Sequence, residues 1–190
     1  MIVPDFDEST HSYRVDGKRK ASVTQILDIM GIVSPFAKSE PHANRGTRIH
    51  RILELHDLDK LNYDWLDDEE LTCIKYWDQF KSDFKLEWSG VERRFYHPDL
   101  DYCGTIDRIG KNLIVDIKTG TIPKSAALQT AGYAMGVSPE PEKLERIAVI
   151  INPRKHKCYK LGKPMTDCGD FLEWQNIVAE FHKRMNEHEH

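Results

Sequence analysis

No stretch of this sequence approaches the roughly 18 uninterrupted apolar residues that a membrane span requires. The opening, MIVPDFDEST, has neither a basic start nor an apolar run, so no secretory leader is expected and the cytoplasm is the default compartment. Cysteine is scarce, with four residues at positions 73, 103, 158 and 168. They form no CxxC and no Cys/His spacing of a zinc site, which predicts four free, mostly buried thiols. Neither sign of charge dominates: 27 Lys+Arg against 31 Asp+Glu leave −4. The balance gives no hint of a nucleic-acid partner, but a net charge averages over faces and hides a basic patch. Internal repeats, low-complexity tracts and Ser/Gly linkers are absent, and VSPEPE (137–142) is a Pro-punctuated loop. With 190 residues, 39% apolar and 31% charged, the chain fits one domain, 1–190, whose core needs no staples.

The charges that are present are segregated. Residues 57–70 hold seven acids against Lys60. Residues 143–163 hold seven bases (Lys143, Arg146, Arg154, Lys155, Lys157, Lys160, Lys163) against Glu145. Arg45, Arg48 and Arg51 cluster around His50. Such runs fit solvated faces, and two separate basic stretches equally fit a groove that tracks phosphates.

Asp16-Gly17 marks a hairpin between HSYRV and KRKAS. Ser22-Val-Thr-Gln25 reads as a capping box opening a helix to about residue 30. Helices are expected over 42–56, with Ile49, Ile52 and Leu53 apolar, and over 68–86, with a stripe of Leu71, Ile74, Trp77, Phe80 and Phe84. Strands follow at about 87–97, 103–110 and 112–118, then a small-residue helix at 126–136. Strands at 146–152 and 157–161 come next, and an amphipathic helix from Asp167 closes the chain. Three strands with short links should pair antiparallel, and the 126–136 helix offers a crossover to the next. The fold class is α/β, a mixed sandwich on one central sheet flanked by helices.

The chemistry concentrates in GTIDRIGKNLIVDIKTG (104–120). Alternation puts Asp116 and Lys118 on one face of their strand, with Leu113, Val115 and Ile117 on the other. Pairing across Gly110-Lys111-Asn112 would bring Asp107 beside Asp116. Two carboxylates that close are tolerated when a divalent cation sits between them, and hard oxygen ligands suit Mg²⁺ or Mn²⁺. Lys118 would then orient or help deprotonate a water, or neutralise charge on a phosphate. Taken alone, D-x-K equally fits an ion pair at a strand end, with Asp107 paired to Arg108 or Arg146. Gln129 and Tyr133 are spaced i, i+4 and share a helix face. His50 and Glu92 each fit a bland role as well, a surface histidine and a cross-strand salt bridge.

The ordered series RGTRIHRILE, GVERRF, GTIDRI, IVDIKTG and LQTAGYA resembles the PD-(D/E)XK nuclease superfamily, nearest to its RecB-type exonuclease branch, which includes phage exonucleases and the mitochondrial genome maintenance exonuclease. The resemblance covers about residues 22–152 and implies a restriction-endonuclease-like core, with residues 1–40 as an elaboration of it. It implies that His50, Asp107 and Asp116 bind metal, that the carbonyl of Ile117 reaches it, and that Lys118 is the catalytic lysine. Glu92 is implied as a further catalytic acid, though its spacing to Asp107 varies among such proteins. Gln129 and Tyr133 are implied to hold the nucleic-acid strand. Arg45, Arg48, Arg51 and the 154–163 stretch would bear it, and Tyr133 could pack on sugar or base. The first acid follows Ile106 rather than proline. No cysteine precedes the His50 helix and only Cys158 and Cys168 are late, so no iron–sulfur cluster is expected. The implied activity is an Mg²⁺- or Mn²⁺-dependent DNA exonuclease of phage or bacterial recombination or repair. Its partners would be DNA with free ends and a recombinase or single-strand annealing protein, with no membrane involved. The alternatives are a structure- or site-directed endonuclease, and a nuclease-like module that binds DNA ends without cutting.

Overall fold

The computed structural model describes residues 2–8, 10–33 and 40–187, with the side chains of 40–44 excepted. Part of the expected N-terminal elaboration, residues 34–39, lies outside the described residues.

The chain opens with a small antiparallel sheet of β1 (Asp5–Asp7), β2 (Ser12–Val15) and β3 (Lys18–Lys20). Val15 pairs with Lys18 across Asp16-Gly17, whose φ values are +49° and +76°. Positive φ at both central residues is what a tight hairpin turn demands and what Asp-Gly tolerates. Strand β1 pairs with β2 and adds a third strand to the hairpin.

Helix α1 (Val23–Ile29) starts with the reciprocal cap read from its sequence. Ser22 Oγ accepts from the Gln25 amide at 3.2 Å and Gln25 Oε1 from the Ser22 amide at 3.0 Å. Helix α2 (Glu40–Asp57) leads to α3 (Asp68–Phe84), which Asp67 and Glu70 open by the same device. The α3 stripe turns differently from the expected one. Cys73, Ile74, Trp77 and Phe80 are buried, while Leu71 and Phe84 are exposed.

The main sheet is mixed and runs β4 (Gly90–His97), β5 (Tyr102–Ile109), β6 (Leu113–Lys118), β7 (Glu145–Ile150), β8 (Lys160–Leu161). Only β6 and β7 are parallel, joined by the crossover helix α4 (Ala126–Val137). The strand expected at 157–161 shrinks to two residues. Helix α5 (Gly169–Glu187) ends the described chain. Side chains of α2 and α3 pack with Val115 and Ile117 of β6 on one face of the sheet. Those of α1, α4 and α5 pack with Ile114, Ile106 and Phe95 on the other. The architecture is therefore the expected α/β one, a single mixed central sheet flanked by helices, with the three-stranded sheet beside it.

Helix α4 lies close to its neighbours because it is built of small residues. A Cβ on Gly136 would stand 1.9 Å from Phe95 Cε2, and one on Gly132 would stand 2.8 Å from Trp174 Cε2. No described helix is long and apolar enough to cross a membrane. All four thiols are free, but only Cys73 and Cys103 are buried; Cys158 is half-buried and Cys168 exposed, fewer buried than expected.

Candidate functional site

Strands β5 and β6 pair through Arg108–Val115 and Ile109–Ile114 and then part. In a continued register the next pair would be Asp107 with Asp116. Instead the Asp107 Oδ2 accepts from the Ile117 amide at 2.6 Å, replacing the missing ladder bond. The two acids consequently look different ways. Asp107 faces α2, where His50 Nδ1 lies 3.4 Å from its Oδ1. Asp116 faces α4 and holds Lys118, whose Nζ lies 3.0 Å from Oδ1 and 2.8 Å from Oδ2. The Ile117 amide points toward β5, and its carbonyl does too, because both polar groups of a strand residue face the same neighbour. The Lys118 carbonyl points to the other side, accepting from the Ile151 amide at 2.8 Å.

Glu92 sits opposite Asp107 in the β4–β5 register, and its φ of +46° is left-handed. That region costs a non-glycine residue of the order of 1 kcal/mol or more. Arg108 secures the strained carboxylate, donating from Nη1 to Glu92 Oε1 at 3.2 Å. The same Nη1 also donates to the Asp107 carbonyl at 2.6 Å. Behind it Arg108 Nε donates to Asp57 Oδ2 at 2.7 Å. Asp57 also accepts from Trp77 Nε1 at 2.9 Å and Lys81 Nζ at 2.8 Å. Arg108 and Asp57 are fully buried, a setting that is stable only if every charge is matched. Sequence reading missed this pair. Two signals were there: an arginine inside an apolar strand needs a carboxylate, and Asp57 stands in the last turn of α2, where the helix dipole disfavours an acid.

His50, Glu92 and Asp107 each offer one ligand atom, and these atoms lie within 4.8 Å of one another. An imidazole nitrogen with two carboxylates is a donor set for a divalent cation, with the nitrogen favouring Mn²⁺ over Mg²⁺. The electrostatics fit as well. Burial and the Asp107 charge push Glu92 up to about 7. Burial also pushes Asp107 up, but His50, Lys118 and the Ile117 amide outweigh it and hold the carboxyl below its usual range. Asp116 is raised by burial and by Asp107, against the pull of Lys118. Burial lowers His50 and Lys118, yet the facing carboxylates win at both and leave each raised. Glu92 and Asp107 thus repel across the register, and a cation between them would relieve it. The expected ligand set shifts accordingly. Glu92, expected as a catalytic acid, joins the donor group, while Asp116 stands outside it on Lys118.

Gln129 and Tyr133 lie on the inner side of α4 rather than at a helix surface. Gln129 Oε1 accepts from Lys118 Nζ at 3.1 Å, and Gln129 Nε2 donates to the Tyr133 hydroxyl at 2.8 Å. Both are buried, so Tyr133 has little ring face to offer a base. Its hydroxyl is raised well above the ordinary value by burial and by the Asp116 and Asp107 charges, and is protonated at neutral pH.

The three arginines expected to bear a strand are each engaged. Arg45 Nε donates to Glu69 at 2.7 Å and Nη1 reaches the Thr119 carbonyl at 3.4 Å. Arg48 pairs with Glu70, and Arg51 Nη1 with Glu54 at 2.7 Å. The acids of α3 face this helix and neutralise it, which the linear separation of the two charge runs conceals. Arg154, from the second basic stretch, shares Glu69 at 2.7 Å, and Arg146 is buried against Asp170 at 2.8 Å. The residues named by the bland reading of Asp107, Arg108 and Arg146, are therefore committed to other acids.

His50, Glu92 and Asp107 open onto a cleft of about 550 Å³ between the main sheet, α2 and the small sheet. Its walls include Phe6, His11, Tyr13, Arg51, Arg94 and Tyr133.

No family model and no curated protein matches the chain. Solved structures similar to it include a crystal structure of LHK-Exo in complex with dAMP, at 12% identity, TM-score 0.46 and 89% coverage of both chains. A likeness that loose assigns no activity.

Proposed function

We propose that the protein is a divalent-metal-dependent deoxyribonuclease that hydrolyses phosphodiester bonds at DNA ends. The observation that carries the reading is the convergence of two groups around one strand end. His50, Glu92 and Asp107 form a ligand set on the cleft, and Lys118 stands beside it, held by Asp116 and Gln129. The order of these residues along the chain, and its resemblance to RecB-type nucleases, select DNA over other phosphodiesters.

A cation held by His50, Glu92 and Asp107 would polarise the phosphate and lower the pKa of a bound water. Lys118 is held cationic by the facing carboxylates, Asp116 first. Its ammonium orients the attacking water by hydrogen bonding and offsets charge growing on the phosphate oxygens. Asp116 and Gln129 fix the direction of its N–H bonds, and Tyr133 fixes Gln129. Water adds to phosphorus and gives up a proton to solvent, the bond to the leaving sugar oxygen breaks, and that oxygen takes up a proton in its place, so the net step consumes one water. The biological setting that goes with the reading is end processing in recombination or repair, in a bacterial or phage-infected cytoplasm, beside a recombinase or annealing protein.

The test is incubation of purified protein with end-labelled linear DNA and covalently closed circles, with Mg²⁺, Mn²⁺ or chelator. Linear DNA should be degraded only with metal, and circles spared. Lys118→Ala should lose at least about 100-fold in rate while keeping its circular dichroism. Nicking of closed circles would make the enzyme an endonuclease, and cleavage by Lys118→Ala within a few-fold of wild type would overturn the assignment.

A further inference from the structure

Arg94 is half-buried on the wall of the cleft that holds His50, Glu92 and Asp107. Arg108 and Arg146, the buried arginines, are each paired with carboxylates, and Arg45, Arg48, Arg51 and Arg154 each have an acid. Arg94 has none, and no hydrogen bond from its guanidinium is found to any described residue. What it does have is an aromatic floor. Its Cζ lies 4.9 Å from the centroid of Phe6, whose ring is braced by Tyr13 at 4.7 Å and His11 at 5.0 Å. Tyr13 is in turn pinned by a 2.7 Å hydrogen bond between its hydroxyl and that of Thr105.

A guanidinium stacked on a ring keeps its planar fork of five donors pre-organised and unspent. Removing such a group from water without a partner is costly, which a ligand anion in the cleft would recover. Glu92 and Arg94 are two residues apart on β4, and both line the cleft. Nearby acids do not claim the guanidinium, and Arg94 lines the same cleft as the ligand group.

We infer that Arg94, set on the Phe6 ring, is a phosphate-binding residue that grips the nucleic-acid strand beside the phosphate being cut. This rests on the nuclease reading above, and it gives the small N-terminal sheet a role: it carries the ring that fixes the arginine. Bidentate pairing of guanidinium with phosphate is geometrically matched in a way an ammonium is not.

The experiment measures binding of a fluorescein-labelled single-stranded oligonucleotide to the full chain by anisotropy over a salt series, with chelator present to prevent cleavage. Wild type, Arg94→Gln, Arg94→Lys and Phe6→Leu are compared, with thermal melting to confirm folding. Arg94→Gln should bind about tenfold more weakly, and its slope of log affinity against log salt should fall by about 0.7, the loss of one phosphate contact on a single strand. Arg94→Lys should restore the slope but not the affinity, and Phe6→Leu should weaken binding with the slope unchanged. Affinity and salt slope of Arg94→Gln equal to wild type would overturn the inference and leave the nuclease reading standing. Wild-type protein that neither binds nor cuts DNA would overturn both.

Discussion

The Asp107 carboxylate and the Ile117 amide are joined by a 2.6 Å hydrogen bond that crosses from β5 to β6 where the two strands stop pairing. One oxygen closes the sheet while the other faces His50, so a single side chain serves fold and site together. Asp107→Asn keeps an acceptor for the amide and loses the charge; Asp107→Ala loses both. Both variants should be inactive. Only Asp107→Ala should also lose stability, by about 1–3 kcal/mol for a buried donor left alone. Denaturant melts of the two metal-free variants check this, and equal midpoints would show that the hydrogen bond does not hold the strands.

His50 is the proposed ligand whose bland alternative is strongest. Its imidazole binds metal only when neutral, and the carboxylates around it raise its pKa above the ordinary 6.5. His50→Ala should weaken Mn²⁺ binding more than Mg²⁺ binding, and wild-type affinity for Mn²⁺ should fall as the solution is acidified. Calorimetric titration of both proteins measures it. Equal Mn²⁺ affinities would leave a site of two carboxylates.

The metal-free protein should become less stable as pH rises. Glu92 has an ordinary value of 4.5 and a folded value of about 7, so the folded state holds a proton that the unfolded state has released. Stability from this group is present below about 4.5 and declines as pH climbs to about 7. His50, also raised, adds a loss of the same sign starting from 6.5. Glu92 alone contributes on the order of 3 kcal/mol. Melting temperatures taken with chelator from pH 5 to pH 8 should fall, and saturating Mn²⁺ should flatten or reverse the trend. A rise with pH in chelator would contradict the charge arrangement described.

Gly136→Ala should damage the site from a distance. The added methyl would meet the Phe95 ring, itself buried between α4 and β5, and the helix must move. Overpacking of this kind costs about 1–3 kcal/mol. Because α4 also carries Gln129 and Tyr133, hydrolysis should fall by more than the melting temperature alone explains. Activity measured well below the melting point separates the two effects.

Particular residues show what could be read from the chain and what could not. Ser22 with Gln25, and Asp16 with Gly17, are local devices whose geometry depends on neighbours in sequence. Both formed as expected. So did the shared face of Asp116 and Lys118, which follows from the period of a strand. The order of strands followed from short links and one crossover helix. The pairing of Arg45 and Arg48 with Glu69 and Glu70 depends on how α2 crosses α3, and no local rule contains that angle. The splay between Asp107 and Asp116 escaped for a similar reason. A register predicts which residues oppose each other, not where the ladder ends. The left-handed Glu92 is an exception to propensity, and exceptions of that sort mark places where tertiary forces override local preference.

The backbone at Glu92 has one more effect, on how the molecule meets others of its kind. Strand β4 is a border of the main sheet, eight residues long, and such a border offers free amides and carbonyls to any passing chain. A residue with φ of +46° breaks that row near its start, and the exposed Arg93 beside it adds a charge. The opposite border, β8, is only two residues long. Neither side presents a long uninterrupted template, so the distortion that sets a carboxylate in the cleft also guards the sheet against growing into an aggregate.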